Sequence, residues 1–93
     1  YSFYGGELNL DTLSTEHIIP KSKGGKSKQF NYVFCNADQN KERGNNPLKD
    51  FIDWEAAGQY LDQFQGVRVE GFNGDKYIAD VLNSINTAIK TGK

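Results

Sequence analysis

Residues 13–44 read LSTEHIIPKSKGGKSKQFNYVFCNADQNKERG, and this stretch decides the fold. Its opening, residues 13–19, carries the β-branched Thr15, Ile18 and Ile19 and favours a strand. Pro20 has no amide hydrogen to offer a ladder and ends it. Residues 21–29 are polar, with Gly24-Gly25 as the turn. Residues 30–34, aromatic and containing Val33, predict a second short strand. Asn36 followed three residues later by Gln39 has the pattern of a capping box. It predicts a helix to about Arg43, where Gly44 supplies a left-handed stop. The order is strand, loop, strand, short helix: a hairpin with a helix returned onto it.

On the C-terminal side, Asn46-Pro47 predicts a second helix with Pro47 at its first position. Leu48, Phe51, Ile52, Ala57, Tyr60, Leu61 and Phe64 give it an apolar stripe, and Gly58 marks a bend. Val67, Val69 and Phe72 alternate with charged residues as in an exposed strand. Gly74-Asp75 opens a last helix whose core face is read as Ile78, Val81, Leu82, Ile85 and Ile89. Residues 1–6 are a loose aromatic start ending in Gly5-Gly6. The fold class expected is α+β, with a core motif at 13–48 and a helical C-terminal extension over 47–90.

A chain of 93 residues is one domain. It buries roughly 60–65% of the surface its unfolded form exposes, so its core is thin. Five Tyr, six Phe and Trp54 are expected to supply the core bulk. No methionine occurs anywhere, which points to a piece of a longer protein whose other parts would carry targeting. The single cysteine, Cys35, forms no internal disulfide and builds no Cys-rich zinc site. A reducing, cytoplasmic setting is the simplest expectation, and no apolar run approaches a membrane span. Net charge is −1, but it is unevenly placed. Residues 17–49 hold seven basic side chains against Asp38 and Glu42, net +5, whereas residues 1–16 and 50–93 are each net −3. A local basic patch attracts phosphate on a near-neutral protein because charges beyond about 8–10 Å are screened.

The one histidine lies in Glu16-His17-Ile18-Ile19-Pro20. Alone it says little. It is followed by the Gly-Gly loop, by Asn31 fourteen residues on, and by Asn40-Lys41-Glu42-Arg43-Gly44, with Asn40 twenty-three residues on. This ordered set resembles the HNH endonucleases, whose pattern is an acid and His, Pro, a Gly-Gly loop, an Asn, and a closing His or Asn before basic residues and Gly. The two intervals are similar to those in the HNH domains of RNA-guided nucleases. The resemblance covers about a third of the chain.

The resemblance implies a ββα-metal (His-Me finger) core and metal-dependent hydrolysis of phosphodiester bonds in DNA, with RNA the other nucleic acid it accommodates. His17 would be the general base that activates water, so activity is expected to fall in acid as the ring takes up a proton. Glu16 and Asn40 would hold one Mg²⁺, or Mn²⁺ in its place, since hard oxygens suit a cation that keeps several waters. Asn31 belongs to the catalytic set by tying the loop backbone and fixing the orientation of His17. Lys21, Lys23, Lys26, Lys28, Lys41 and Arg43 are the expected phosphate contacts. Adjacent strand residues point to opposite faces, so Glu16 and His17 share one task only if a bend redirects one of them.

Two features depart from the family pattern. Many members carry Asp where Glu16 stands. Many also carry Cys-x-x-Cys knuckles, where this chain has Ser2-Phe3-Tyr4-Gly5 and Asn36-Ala37-Asp38-Gln39. No structural zinc is therefore expected; packing by Phe30, Phe34 and the later helices would replace it, with Cys35 in the core. One such site cuts one strand at a time, so double-strand cleavage would require a dimer or an additional targeting domain. Two other readings fit the residues: a catalytically inactive HNH-like module that binds nucleic acid, and an interaction domain docking through its acidic C-terminal half.

Overall fold

The computed structural model describes all 93 residues. It is an α+β fold of two small antiparallel hairpins and four helices. β1 (Leu13–His17) pairs with β2 (Tyr32–Asn36) in a continuous register, Ser14 opposite Cys35, Glu16 opposite Val33 and His17 opposite Tyr32. β1 stops two residues short of its expected end, and β2 is shifted two residues along the chain from its expected span of 30–34. Ile18 and Ile19 leave the ladder because Pro20 interrupts it, and residues Gln29–Asn31 close a 3-10 turn ahead of β2.

α1 (Ala37–Arg43) follows β2 directly. Gln39 accepts the Asn36 backbone N–H at 3.1 Å, the return half of the expected capping box. Gly44 ends the helix at φ +51°, ψ −124°, outside the left-handed helical region expected of it but in territory that still favours glycine.

The second predicted helix is two. α2 (Leu48–Phe51) begins after Pro47 and stops at Ile52, which is extended. α3 (Trp54–Asp62) restarts because the Asp53 carboxylate accepts the N–H groups of Glu55 and Ala56 at 3.0 and 3.2 Å. The break thus falls at an N-cap and not at Gly58, which sits inside α3. A two-residue hairpin, β3 (Arg68–Val69) and β4 (Phe72–Asn73), leads into α4 (Gly74–Thr91), capped by Asn73. Gly74 is obligatory for packing: a Cβ there would lie 1.9 Å from the Phe64 carbonyl oxygen.

The core comprises Phe3, Ile18, Val33, Leu48, Tyr60, Leu61, Tyr77, Val81 and Ile85 with small residues between them. Two expectations change here. Phe30, Phe34 and Trp54 are exposed, so they are not the core bulk. On α4 the expected Val81 and Ile85 are buried and Ile78 and Ile89 pack against the core, but Leu82 is exposed and Tyr77, Ser84 and Ala88 complete the inward face, which is rolled slightly from the predicted one. The reason is polar. The outer edge of β2 has no third strand, and its backbone groups need partners. Tyr77 Oη donates to the Tyr32 carbonyl at 2.7 Å, Ser84 Oγ donates to the Phe30 carbonyl at 2.6 Å, and the Phe34 N–H donates to Tyr60 Oη at 3.0 Å. The Phe3 N–H takes the Phe34 carbonyl. The helix turns so that hydroxyls as well as methyls reach the strand.

No helix is long and apolar enough to cross a membrane.

Candidate functional site

The register sorts the motif residues. Ser14, Glu16, Val33 and Cys35 project from one face of the β1–β2 hairpin, and Thr15, His17, Tyr32 and Phe34 from the other. No bulge intervenes, so Glu16 and His17 point apart.

On the first face, the Glu16 carboxylate is almost fully covered. Its Oε2 accepts Tyr4 Oη at 2.7 Å and lies 3.7 Å from Arg43 Nη1. Burial holds the Glu16 carboxyl above its ordinary range, opposed by the Tyr4 hydrogen bond and the Arg43 charge. Burial and the same carboxylate push the Tyr4 hydroxyl up. Arg43, expected on phosphate, is instead fully buried. Its guanidinium donates to the carbonyls of His17 at 2.9 Å, Asn46 at 3.1 Å and Lys93 at 3.2 Å, and to Tyr4 Oη at 3.3 Å. This departure has a physical cause: a fork of five N–H donors can serve several carbonyls converging from separate segments, which a water-exposed phosphate contact would not need. Nothing in the sequence marked Tyr4, which reaches the site from the N-terminal segment.

Asn40 faces β1 from α1, donating its amide to Ser14 Oγ at 2.6 Å and to the Thr15 carbonyl at 3.4 Å. Its Oδ1 and Glu16 Oε1 make no hydrogen bond. Two oxygens on the α1 side of the hairpin have the hard-donor chemistry of a Mg²⁺ site that leaves its other positions to water and substrate. No group of three His, Cys, Asp or Glu side chains that could hold a metal ion forms, and the Arg43 guanidinium beside Glu16 opposes a divalent charge.

On the other face His17 is half-buried. Its ring stands edge-on to Tyr32, centroids 5.0 Å apart, and Nε2 is 3.2 Å from Ser27 Oγ. Ser27, in the polar loop, is a partner that sequence reading missed.

Asn31 is buried behind the loop. Its Oδ1 accepts the Ile19 N–H at 2.9 Å, and Nδ2 donates to the carbonyls of Ile19 at 3.1 Å and Lys26 at 2.9 Å. It makes no hydrogen bond to the imidazole; it holds the main chain two residues beyond His17 against the Gly-Gly loop. Gly25 permits this approach, since a Cβ there would lie 1.8 Å from the Ile19 carbonyl oxygen. Asn31→Ala is expected to cost about 1–3 kcal/mol, because it leaves buried backbone groups unpaired. An unchanged urea midpoint would show that the clamp is dispensable.

Of the expected phosphate contacts, Lys21, Lys26, Lys28 and Lys41 are exposed and outside every salt bridge. Lys23 is half-buried and donates to the Asn45 carbonyl at 2.7 Å, tying the loop to the turn after α1. The two segments standing where family members carry knuckle cysteines lie together: Ser2 Oγ donates to Gln39 Oε1, and Gln39 Nε2 donates to the Gly5 carbonyl at 2.8 Å. Cys35 is buried in the core and its thiol is pushed up to about 12 by burial. It is expected to react with a thiol reagent only as fast as the chain unfolds; rapid labelling of the native protein would contradict that.

No family model matches the chain, and no curated protein or solved structure matches it either.

Proposed function

We propose that the chain is an HNH-type endonuclease unit, a ββα-metal hydrolase of DNA phosphodiester bonds with His17 as general base. One observation carries this reading. Two motif positions distant in sequence converge on residues 14–19, the segment that carries His17: Asn40 bonds to Ser14 and Thr15, and Asn31 binds the main chain of Ile19 on both sides.

With Ser27 Oγ accepting the Nε2 proton, His17 Nδ1 is the basic nitrogen, and it takes the proton of the attacking water. The water oxygen bonds to phosphorus as the opposite P–O bond breaks, and the leaving oxygen is protonated from solvent. Glu16 and Asn40 are the residues that would hold a divalent cation; they lie on the hairpin face opposite His17, so a cation there would stabilise charge on a phosphate at His17 only if the end of β1 bends to bring the two faces together. Lys21, Lys26, Lys28 and Lys41 supply positive charge on and beside the loop that flanks His17.

A second reading, a catalytically inactive module that binds nucleic acid, is favoured by one feature: the Glu16 carboxylate is already engaged by Tyr4 and faces Arg43. A plasmid nicking assay with Mg²⁺, repeated with EDTA, separates the two. Nicking that disappears with EDTA supports the nuclease; salt-dependent DNA binding with no nicking in Mg²⁺ or Mn²⁺ supports the inactive module.

A further inference from the structure

A cavity of about 420 Å³ opens on the same face of the hairpin as His17. Tyr32 and Phe34 of β2, Phe64, Phe72, Ser27 and Lys28 are among the residues that line it. Two of these residues also belong to the His17 environment. Tyr32 meets the imidazole edge-on at 5.0 Å, and Ser27 sits 3.2 Å from its Nε2. The cavity is therefore one side chain away from the proposed base. Its lining is aromatic where a strand facing water would ordinarily be polar, and the Phe34 side chain stays 40% exposed in it. Lys28, in its lining, is exposed and outside every salt bridge, in the segment that carries net +5.

We propose that this cavity receives an unpaired nucleobase from the strand whose phosphate lies at His17. The site thereby selects single-stranded or locally opened nucleic acid over intact duplex. The inference rests on the nucleic-acid reading of the same face and deepens it. An aromatic surface with a cationic rim suits a ring with two π faces attached to a phosphate. A base inside a duplex has both faces stacked and cannot enter; an unpaired one can. A volume of this size lies at the small end of pockets that enclose a ring-bearing ligand. Because every base has a π face and the lining offers few polar groups, binding should tolerate any base.

The test is fluorescence anisotropy with a labelled DNA strand of about 12 nucleotides, within the footprint of single-strand grooves, and with its duplex, EDTA keeping both intact. The wild-type chain is expected to bind the single strand more tightly. Phe34→Ala should weaken single-strand binding roughly 5- to 150-fold, the range for loss of one stacked base, while leaving duplex binding and the salt slope unchanged. Phe34→Tyr should restore it and Phe34→Leu should not, since leucine keeps apolar bulk without a π face. Equal weakening on single strand and duplex, no weakening, rescue by leucine, or a change in oligomeric state on Phe34→Ala would each overturn the proposal. If plasmid nicking proceeds while Phe34→Ala is indifferent, the cavity assignment alone fails. If the wild-type chain binds neither strand nor duplex, the nucleic-acid reading fails with it.

Discussion

Replacing Arg43 with methionine is expected to destabilise the fold by about 3–5 kcal/mol, the cost of breaking a buried charged constellation by removing one partner. Methionine fills much of the volume but donates nothing. The carbonyls of His17, Asn46 and Lys93 lose a donor together, so the end of β1, the turn after α1 and the C-terminus lose their common tie. The Glu16 ion pair is the smaller part of the effect. It is 3.7 Å long, and the Glu16 carboxyl is held above its usual range, with burial the largest cause. A raised carboxyl pKa means that the folded chain holds its proton more readily than the unfolded one. Its contribution to stability is present at low pH and is lost as pH rises through the folded value. Removing the Arg43 cation raises that pKa further. The penalty of Arg43→Met should therefore be larger at neutral pH than below 4.5, the ordinary Glu value, where Glu16 is protonated in both states. Urea denaturation in EDTA at the two pH values measures this. Arg43→Lys should rescue little, because one ammonium cannot reach three carbonyls that converge on a planar fork. An Arg43→Met midpoint close to wild type would refute the assignment.

The other large effect is expected at His17. His17→Ala should slow plasmid nicking roughly 10²–10⁴-fold, the usual contribution of a positioned general base. Stability should change little. The ring is half-buried, with one hydrogen bond at 3.2 Å and one edge-on contact to Tyr32, the latter a pairing of about 0.5–1.5 kcal/mol. Parallel thermal melts would separate loss of chemistry from loss of fold. Ser27→Ala should lower the rate less, since Ser27 orients the ring without replacing it. Nicking by His17→Ala at near wild-type rate, on a folded protein, would remove His17 from the mechanism.

Local chemistry made much of the arrangement legible in the primary structure. Pro20, the Gly-Gly turn, the Asn36–Gln39 cap and Gly74-Asp75 at the start of α4 each act on neighbours within a few residues, so hairpin, helix and order could be read directly. The loop tie by Asn31 was expected only from the family resemblance; its burial and its three hydrogen bonds were decided by the folded chain. The Asp53 cap is equally local; it was masked by an apolar stripe that runs across the break.

Residues 13–44, taken alone, determined a hairpin with a helix on it and placed His17 inside the first strand, which the folded chain ends at His17 itself. Tertiary structure decided which partner each polar group has. Arg43 reads as a surface cation in the last turn of a short helix; it is buried because three carbonyls and a tyrosine, contributed by segments up to 50 residues away, meet at its guanidinium. The rotation of α4 follows from the unpaired edge of β2, and the exposure of Phe34 from an aromatic cavity built by residues more than 25 positions further along the chain. Turns and caps are short-range and are written in neighbouring residues. The satisfaction of a buried donor or a strand edge depends on what the whole chain brings to it.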